Sequence, residues 1–412
     1  MNGIRASFGT AAPAVLAGLV LIACAGDSTG TGGLVDETPG GGSCGNEIGN
    51  GNQIVSGPAS TTAQDHDQPF RSLTVDPANP DIVYIGTERN GIVRTRNGGN
   101  TWERLRQGLR HVTAGYSEVW DLAIAPGNPA LLIAATTDSP GPLTGEHPSA
   151  IGGIYRSTDG GNTWQRANCG LSNGSVASVS FANGSATVVV IAVSGGRATF
   201  SALAGQFFAG GLFRSTDGGR NWSRVPSSPT DAGRSRFSHI RTVRSTGTLV
   251  TFAIDYEDPA RSIGFLSSED NGANWLPLPD PLAGRVVADF DVSSDGATIW
   301  ADAADTFRML RTRDGGASWT EIGAFSNGSV AVSPVNPDLV LFEDFGTLRR
   351  STDGLATWTT VLTSARRFDD IVFAPSDPRI VYAVTEGYDV YRSGDTGASF
   401  RLLVNLRATV LR

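Results

Sequence analysis

The chain has 412 residues, 40% of them hydrophobic, with 32 basic against 40 acidic residues and a formal net charge of −8. There is enough apolar material for a large folded core, and the acidic balance excludes nucleic acid as a partner. Every basic residue is Arg and none is Lys, which excludes Schiff-base and amine-nucleophile chemistry.

Residues 1–23 combine a single charge, Arg5, with an apolar run at 15–21. This is the outline of a secretory signal. The run ends in Leu21-Ile22-Ala23-Cys24, which resembles the bacterial lipobox. The resemblance implies cleavage before Cys24, a lipid on Cys24, and a place in the bacterial cell envelope. Ala25 after the Cys resembles the sorting choice for the outer membrane. Residues 24–57 are rich in Gly, Ser, Thr and Asn and read as a flexible tether, because they carry too little apolar area to fold alone. Cys44 in this tether and Cys169 further on are placed to form a disulfide in an oxidising compartment. Two thiols and four scattered histidines (His66, His111, His147 and His239) show no ligand spacing, so no metal and no cofactor is expected.

From residue 58 to 412 one unit repeats. A short apolar strand runs into a Pro-rich turn and a second apolar strand at 73–87, and the layout returns at 122–136, 330–344 and 371–385. After each such pair comes a nine-residue stretch typified by Arg156-Ser157-Thr158-Asp159-Gly160-Gly161-Asn162-Thr163-Trp164. Seven copies carry the acid or its amide and then an aromatic: Asn97 and Trp102, Asp159 and Trp164, Asp217 and Trp222, Asp270 and Trp275, Asp314 and Trp319, Asp353 and Trp358, Asp395 and Phe400. Asp-Gly between two apolar runs signals a hairpin, with the carboxylate accepting turn amides and the aromatic sealing the turn. Both Trp164 and Trp319 are accordingly expected to be buried. Aromatic-to-aromatic spacing runs 62, 58, 53, 44, 39 and 42 residues. Four strands in each such unit, seven times over, predicts an all-β chain: a single seven-bladed β-propeller of four-stranded antiparallel blades.

The seven copies resemble the Asp box, or BNR repeat. This motif occurs in sialidases, sortilin-type luminal domains, xyloglucan-degrading hydrolases and photosystem II assembly factors of the Hcf136/Ycf48 kind. The resemblance covers about residues 70–403 and implies the propeller. It is shared by enzymes and non-enzymes, so it leaves activity open. Sialidases of this group carry an Arg-Ile-Pro motif, which is absent here. Thr87-Glu88 resembles the position of the first catalytic Asp of the xyloglucan hydrolases, with Glu in its place, and those enzymes use a second propeller for the other half of the site.

Calling the strands of a blade A to D from the axis outward, an acid ends strand B in six blades: Glu88, Asp138, Asp255, Asp302, Glu343 and Glu386. They are expected to be solvated and to form an acidic mouth on the face of the B–C loops, suited to a cationic or hydroxyl-rich partner. The inner strands start near Arg71, Trp120, Asp121, His239, Arg241, Asp289, Asp369 and Asp370. Two B–C inserts, at 137–152 and 194–211, the second with Phe200, Leu203, Phe207 and Phe208, are candidate lids or partner surfaces. The reading favoured by sequence is a lipid-anchored, monomeric, non-catalytic propeller that binds a protein or glycan. The alternative is a sialidase- or xyloglucanase-like glycoside hydrolase using paired carboxylates.

Overall fold

Apolar runs bounded by Gly and Pro turns become strands throughout the computed structural model, which describes residues 70–112, 115–137, 151–198, 204–226, 233–255, 258–323 and 328–411. The expected signal, tether and lipidation site, with Cys24 and Cys44, lie outside these residues, and so does Asp138. Seven antiparallel sheets follow one another at 70–105, 118–166, 176–224, 235–277, 287–322, 330–363 and 368–405, each taking its strands in chain order. They are the seven blades of a propeller around a common axis. In blade 4 the inner strand is split into Ser235–Phe237 and Arg241–Thr242, and both pieces pair with the same second strand, Leu249–Asp255.

Each sheet is covered by a neighbour on both faces, so its middle strands are continuously apolar rather than alternating. All five residues of Val189–Val193 and of Val381–Thr385 are buried. Between blades 1 and 2, Tyr84, Ile92 and Leu105 meet Leu122, Leu132, Tyr155 and Trp164.

The repeated turn is built by hydrogen bonds from its own side chains. Ser157 Oγ–H donates to Asp159 Oδ1 at 2.8 Å and accepts the Gly161 amide at 2.8 Å. Asp159 Oδ1 also accepts the Thr163 amide at 2.9 Å, and Oδ2 accepts the Thr163 hydroxyl at 2.6 Å. Gly160 and Gly161 take φ of 72 and 86, where a side chain would be strained. The closing aromatics are not equally buried, which corrects the expectation for Trp319. Trp164 and Trp275 are each 1% exposed, whereas Trp319 is half-buried, stacked on Phe265 at 5.1 Å, and Trp358 is 38% exposed.

The arginine that opens the turn reaches the next blade. Arg94 donates to Gly160 O, Arg156 to Gly218 O, Arg214 to Asn271 O, Arg311 to Gly354 O and Arg350 to Thr396 O. In each case the acceptor is the carbonyl one residue after the next turn's aspartate. Blade 4 has Ser267 at this position. Among the described residues the ring closes between blades 7 and 1 without a shared strand. Arg392 meets Asp81 at 3.2 Å, the Tyr382 hydroxyl donates to Pro80 O at 3.0 Å, and Leu406 and Leu411 pack with Leu73 and Val75. A single helical turn, Leu406–Thr409, presents Leu406 for this; Asn405 Oδ1 caps it by accepting the Ala408 amide at 3.0 Å.

Cys169 is disulfide-bonded, while its expected partner Cys44 is outside the described residues. The blade 3 insert is tied down where it is described. Gly196–Arg197 and Phe207–Phe208 form a small hairpin, and Gly195 N and Gly210 N donate to Ser235 O and Gly233 O at 2.9 and 2.7 Å. Phe207 is buried; Phe200, Leu203 and the insert at 138–150 lie outside the described residues.

Candidate functional site at the axial mouth

Strand A begins where strand B ends, so both acidic sets lie on one face. Phe70 pairs with Thr87, Ser235 with Asp255, Val287 with Ala303 and Phe368 with Thr385. In five blades the inner strand is bulged near this end, after the first pair in blades 1, 3, 5 and 7 and after the second in blade 2, so that Arg71, Trp120, Ala177, Ala288 and Asp369 fall at the register shift. A bulge re-aims the next side chain. Here it turns Asp121, Ser178, Asp289 and Asp370 onto the inner strand of the following blade. Asp121 Oδ2 accepts the Ser178 hydroxyl at 2.6 Å and the Val179 amide at 3.1 Å. Ser178 Oγ accepts the Ile240 amide at 2.8 Å, Asp289 Oδ2 the Val330 amide at 3.0 Å, and Asp370 Oδ2 the Leu73 amide at 2.9 Å.

The break in the blade 4 inner strand places His239 and Arg241 against these acids. His239 Nδ1 lies 3.8 Å from Asp121 Oδ2, and Arg241 lies 3.5 Å from Asp289 and 4.0 Å from Asp291. Their side chains keep 27% and 29% exposure, so the wall is reached by solvent. Burial acts on Asp121 to raise its pKa, but His239, Ser178 and the Val179 amide outweigh it and hold the carboxyl below the usual range. Burial wins at Asp370, which is pushed up to about 6 against the opposing charges of Arg241 and His239. Burial also raises Asp291. His239 is depressed by burial and by Arg241, yet the nearby Asp121 carboxylate and the charge of Asp289 leave it net raised. One wall therefore carries an ionised carboxylate and a carboxyl that protonates in mild acid, the division of labour that acid–base catalysis uses.

The strand B acids differ from expectation: they are not a solvated ring. Glu88, Asp255, Asp302 and Glu343 are all buried, the last two completely; Glu386 is half-buried. The physical reason is that several of them hold the chain where it turns. Asp255 Oδ1 accepts the Asp258 amide at 2.9 Å, Asp302 Oδ2 the Gly328 amide at 2.6 Å, and Glu343 Oε1 the Gly346 amide at 2.5 Å. Burial pushes both Asp302 and Glu343 up to about 7; neighbouring acids add to this, and Arg367, 3.4 Å from Glu343, opposes it. Asp302 is the strand partner of Asp289, so the buried acids and the axial wall are one connected set. Trp120 is half-buried and donates to Glu118 Oε2 at 2.9 Å.

Sequence reasoning missed Asp291 and Arg367. Asp291 was signalled by alternation, since Asp289 and Asp291 interrupt an otherwise apolar strand with period two. Arg367 sits in a connection whose approach to Glu343 no local pattern announces. Among the described residues no group of three or more His, Cys, Asp or Glu is arranged to hold a metal ion. A cleft of about 290 Å³ lined by Arg214, Asp217 and Arg224 lies at the repeated turns of blades 3 and 4, on the face away from this chemistry.

No protein-family model matches the chain. A xyloglucanase of Paenibacillus sp. is 28% identical over 244 residues, covering 59% of this chain and 20% of that protein. Xyloglucanase Xgh74A of Acetivibrio thermocellus is 24% identical over 336 residues, covering 68% of this chain and 37% of that protein. The chain thus spans well under half the length of the curated relatives it matches. Among solved structures, a GH74 xyloglucanase from Xanthomonas campestris superposes with a TM-score of 0.62 at 17% identity, covering 82% of this chain and 54% of that one. YCF48 bound to D1 peptide superposes at 0.52 with 14% identity, covering 80% of this chain and 92% of that one. At these identities the superpositions establish the propeller fold.

Proposed function

We propose that this chain receives a hydroxyl-rich polysaccharide of the xyloglucan class at its axial mouth and cleaves it as a glycoside hydrolase. The observation that carries the reading is the pair of inner-strand acids of which Asp121, 3.8 Å from His239, stays ionised while Asp370, in the field of Arg241 and His239, is raised to about 6. Glycoside hydrolysis needs one carboxyl to give a proton to the leaving oxygen and a second, ionised, to activate water or attack the sugar. Asp370 takes the first role and Asp121 the second, with Arg241 and His239 holding the set and Trp120 offering an apolar face to a sugar ring. The xyloglucanase relatives support this substrate class, and Glu88 is left as a buried structural acid. The test is release of reducing ends from xyloglucan by the purified propeller, alone and as Asp370→Asn and Asp121→Asn. The expected loss is at least about a hundredfold for either variant, the usual size of a general acid–base contribution. Because Asp370 must be protonated to act, turnover falls as pH rises above about 6. Binding without cleavage would return the protein to a non-catalytic glycan-binding role, and neither binding nor cleavage would end the reading.

A second reading is a peptide-binding scaffold. It is favoured by one observation: a neighbour of which this chain covers 92%, YCF48, is bound to a D1 peptide. Capture of a protein partner that Arg241→Gln abolishes, in a protein inert to polysaccharides, would establish it.

The remaining expectations belong to this proposal. The repeated turn is an Asp box. Cys24 carries a lipid that holds a monomeric propeller at the bacterial outer membrane through the tether at 24–57, and Cys44 is the partner of Cys169. Cys24→Ala should move the protein out of the membrane fraction and abolish fatty-acid labelling; equal labelling of both forms refutes the anchor.

A further inference from the structure

The B–C turns of blades 5 and 6 each carry an aromatic residue in the left-handed region, Phe345 exposed and Phe307 half-buried. Asp344 and Thr347 are paired across the blade 6 turn, and the two residues between them, Phe345 and Gly346, have φ of 48 and 82. This is a type I′ turn, whose first central position favours Asn or Asp; a bulky residue there is an outlier held against steric strain. Phe345 is nevertheless 60% exposed, so burial does not explain it. Phe307, in the blade 5 turn, repeats the oddity with a φ of 52. The two rings lie 6.3 Å apart and tilted by 42°. Blade 1 uses Gly91 in its own B–C turn, with a φ of 80. Tyr388 takes a similar φ of 67 in the blade 7 turn but packs against the core, whereas Phe345 bears the strain with its ring exposed, which is where a binding role is to be sought.

We propose that Phe345 and Phe307 form a stacking platform for a pyranose ring of a neutral polysaccharide, at the rim of the mouth on blades 5 and 6. The inference rests on the glycan reading above and names residues that would set its specificity. The Arg367 guanidinium lies 5.9 Å from the Phe345 ring centroid and 3.4 Å from Glu343, so the platform is continuous with the acid-rich mouth. The polar groups around it pair with one another: Arg349 with Asp344 at 2.5 Å, Arg285 with Asp305 at 2.7 Å and with Thr306 at 3.0 Å. A rim of apolar rings among mutually paired charges matches an uncharged ligand with an apolar C–H face and hydroxyl edges, which is the surface of a sugar.

The test uses the whole propeller with xyloglucan as the probe, measuring affinity by calorimetry and the melting temperature of each variant. Phe345→Asn supplies the residue the turn prefers and removes the ring. It is expected to leave the melting temperature unchanged or raised while weakening binding at least tenfold; Phe307→Gly does the same, and Phe345→Tyr binds like the wild type. Wild-type binding with an unaltered Phe345→Asn affinity overturns the platform and leaves the glycan reading standing. A fall in melting temperature for both Asn and Gly variants means that the rings are structural, and also overturns it. A wild type that binds no polysaccharide removes the reading on which the platform depends.

Discussion

Asn97 performs in blade 1 the task that aspartate performs in the other six. Its Oδ1 accepts the Thr101 amide at 2.9 Å, as Asp159 Oδ1 does for Thr163, but its second atom donates to the Thr101 hydroxyl, also at 2.9 Å, where Asp159 accepts. The turn therefore tolerates an amide because the neighbouring hydroxyl serves as donor or acceptor. Asp159→Asn should accordingly change stability little, whereas Asp159→Ala leaves turn amides unpaired and should cost about 1–3 kcal/mol in denaturant melts. The closing aromatics separate in the same way by burial. Trp164→Ala should cost about 3–5 kcal/mol, but Trp358→Ala, already 38% exposed, only about 1–2 kcal/mol. Equal losses at the two positions would contradict the role given to packing here.

At the level of the blade, the interruption at Ser267 has a measurable meaning. Five turns send an arginine to the next blade's carbonyl, and Ser267→Arg would place one within reach of Gly315 O on blade 5. One added hydrogen bond from a charged donor should raise stability by about 1 kcal/mol; an unchanged or lower melting point counts against the relay. The blades themselves were legible because turn chemistry and short apolar runs are local signals, and the repeat restates them seven times. What the residues contact across blades was not legible. The inner acids were visible as charges near strand starts, yet that Asp121, Asp289 and Asp370 bond to the following blade depends on bulges that a single strand does not announce. The strand B acids show the reverse failure: a terminal acid reads as solvated, and only the returning chain at Gly328 and Gly346 reveals that Asp302 and Glu343 are enclosed.

For the molecule as a whole, two acid populations pull stability in opposite directions with pH. Hydrogen bonds from Ser318 and Thr312 hold Asp314 down to about 2, and those from Ser399 and Ser393 do the same for Asp395. Carboxyls depressed by folding stabilise above their unfolded value and lose that contribution as pH falls toward about 2. Asp302 and Glu343 are raised to about 7, so their contribution is complete below their unfolded values, 3.8 and 4.5, and is lost as pH rises through about 7. The unfolding free energy should therefore peak at about pH 4 and decline toward neutrality, and the double change Asp302→Asn with Glu343→Gln should lessen that decline, leaving the part due to Asp370 and Asp291, without altering the acid side. A profile rising from pH 4 to 7 would contradict the enclosure of these acids. The closure of the ring carries a different kind of consequence. Among the described residues no blade borrows a strand from the far end of the chain, so cyclic order defines the fold and the starting point is arbitrary. A circular permutant that begins at blade 5, runs through a short peptide joining residue 411 to residue 70, and ends at blade 4 would keep every sheet intact. Its new break would fall at the boundary whose turn carries Ser267 in place of the arginine.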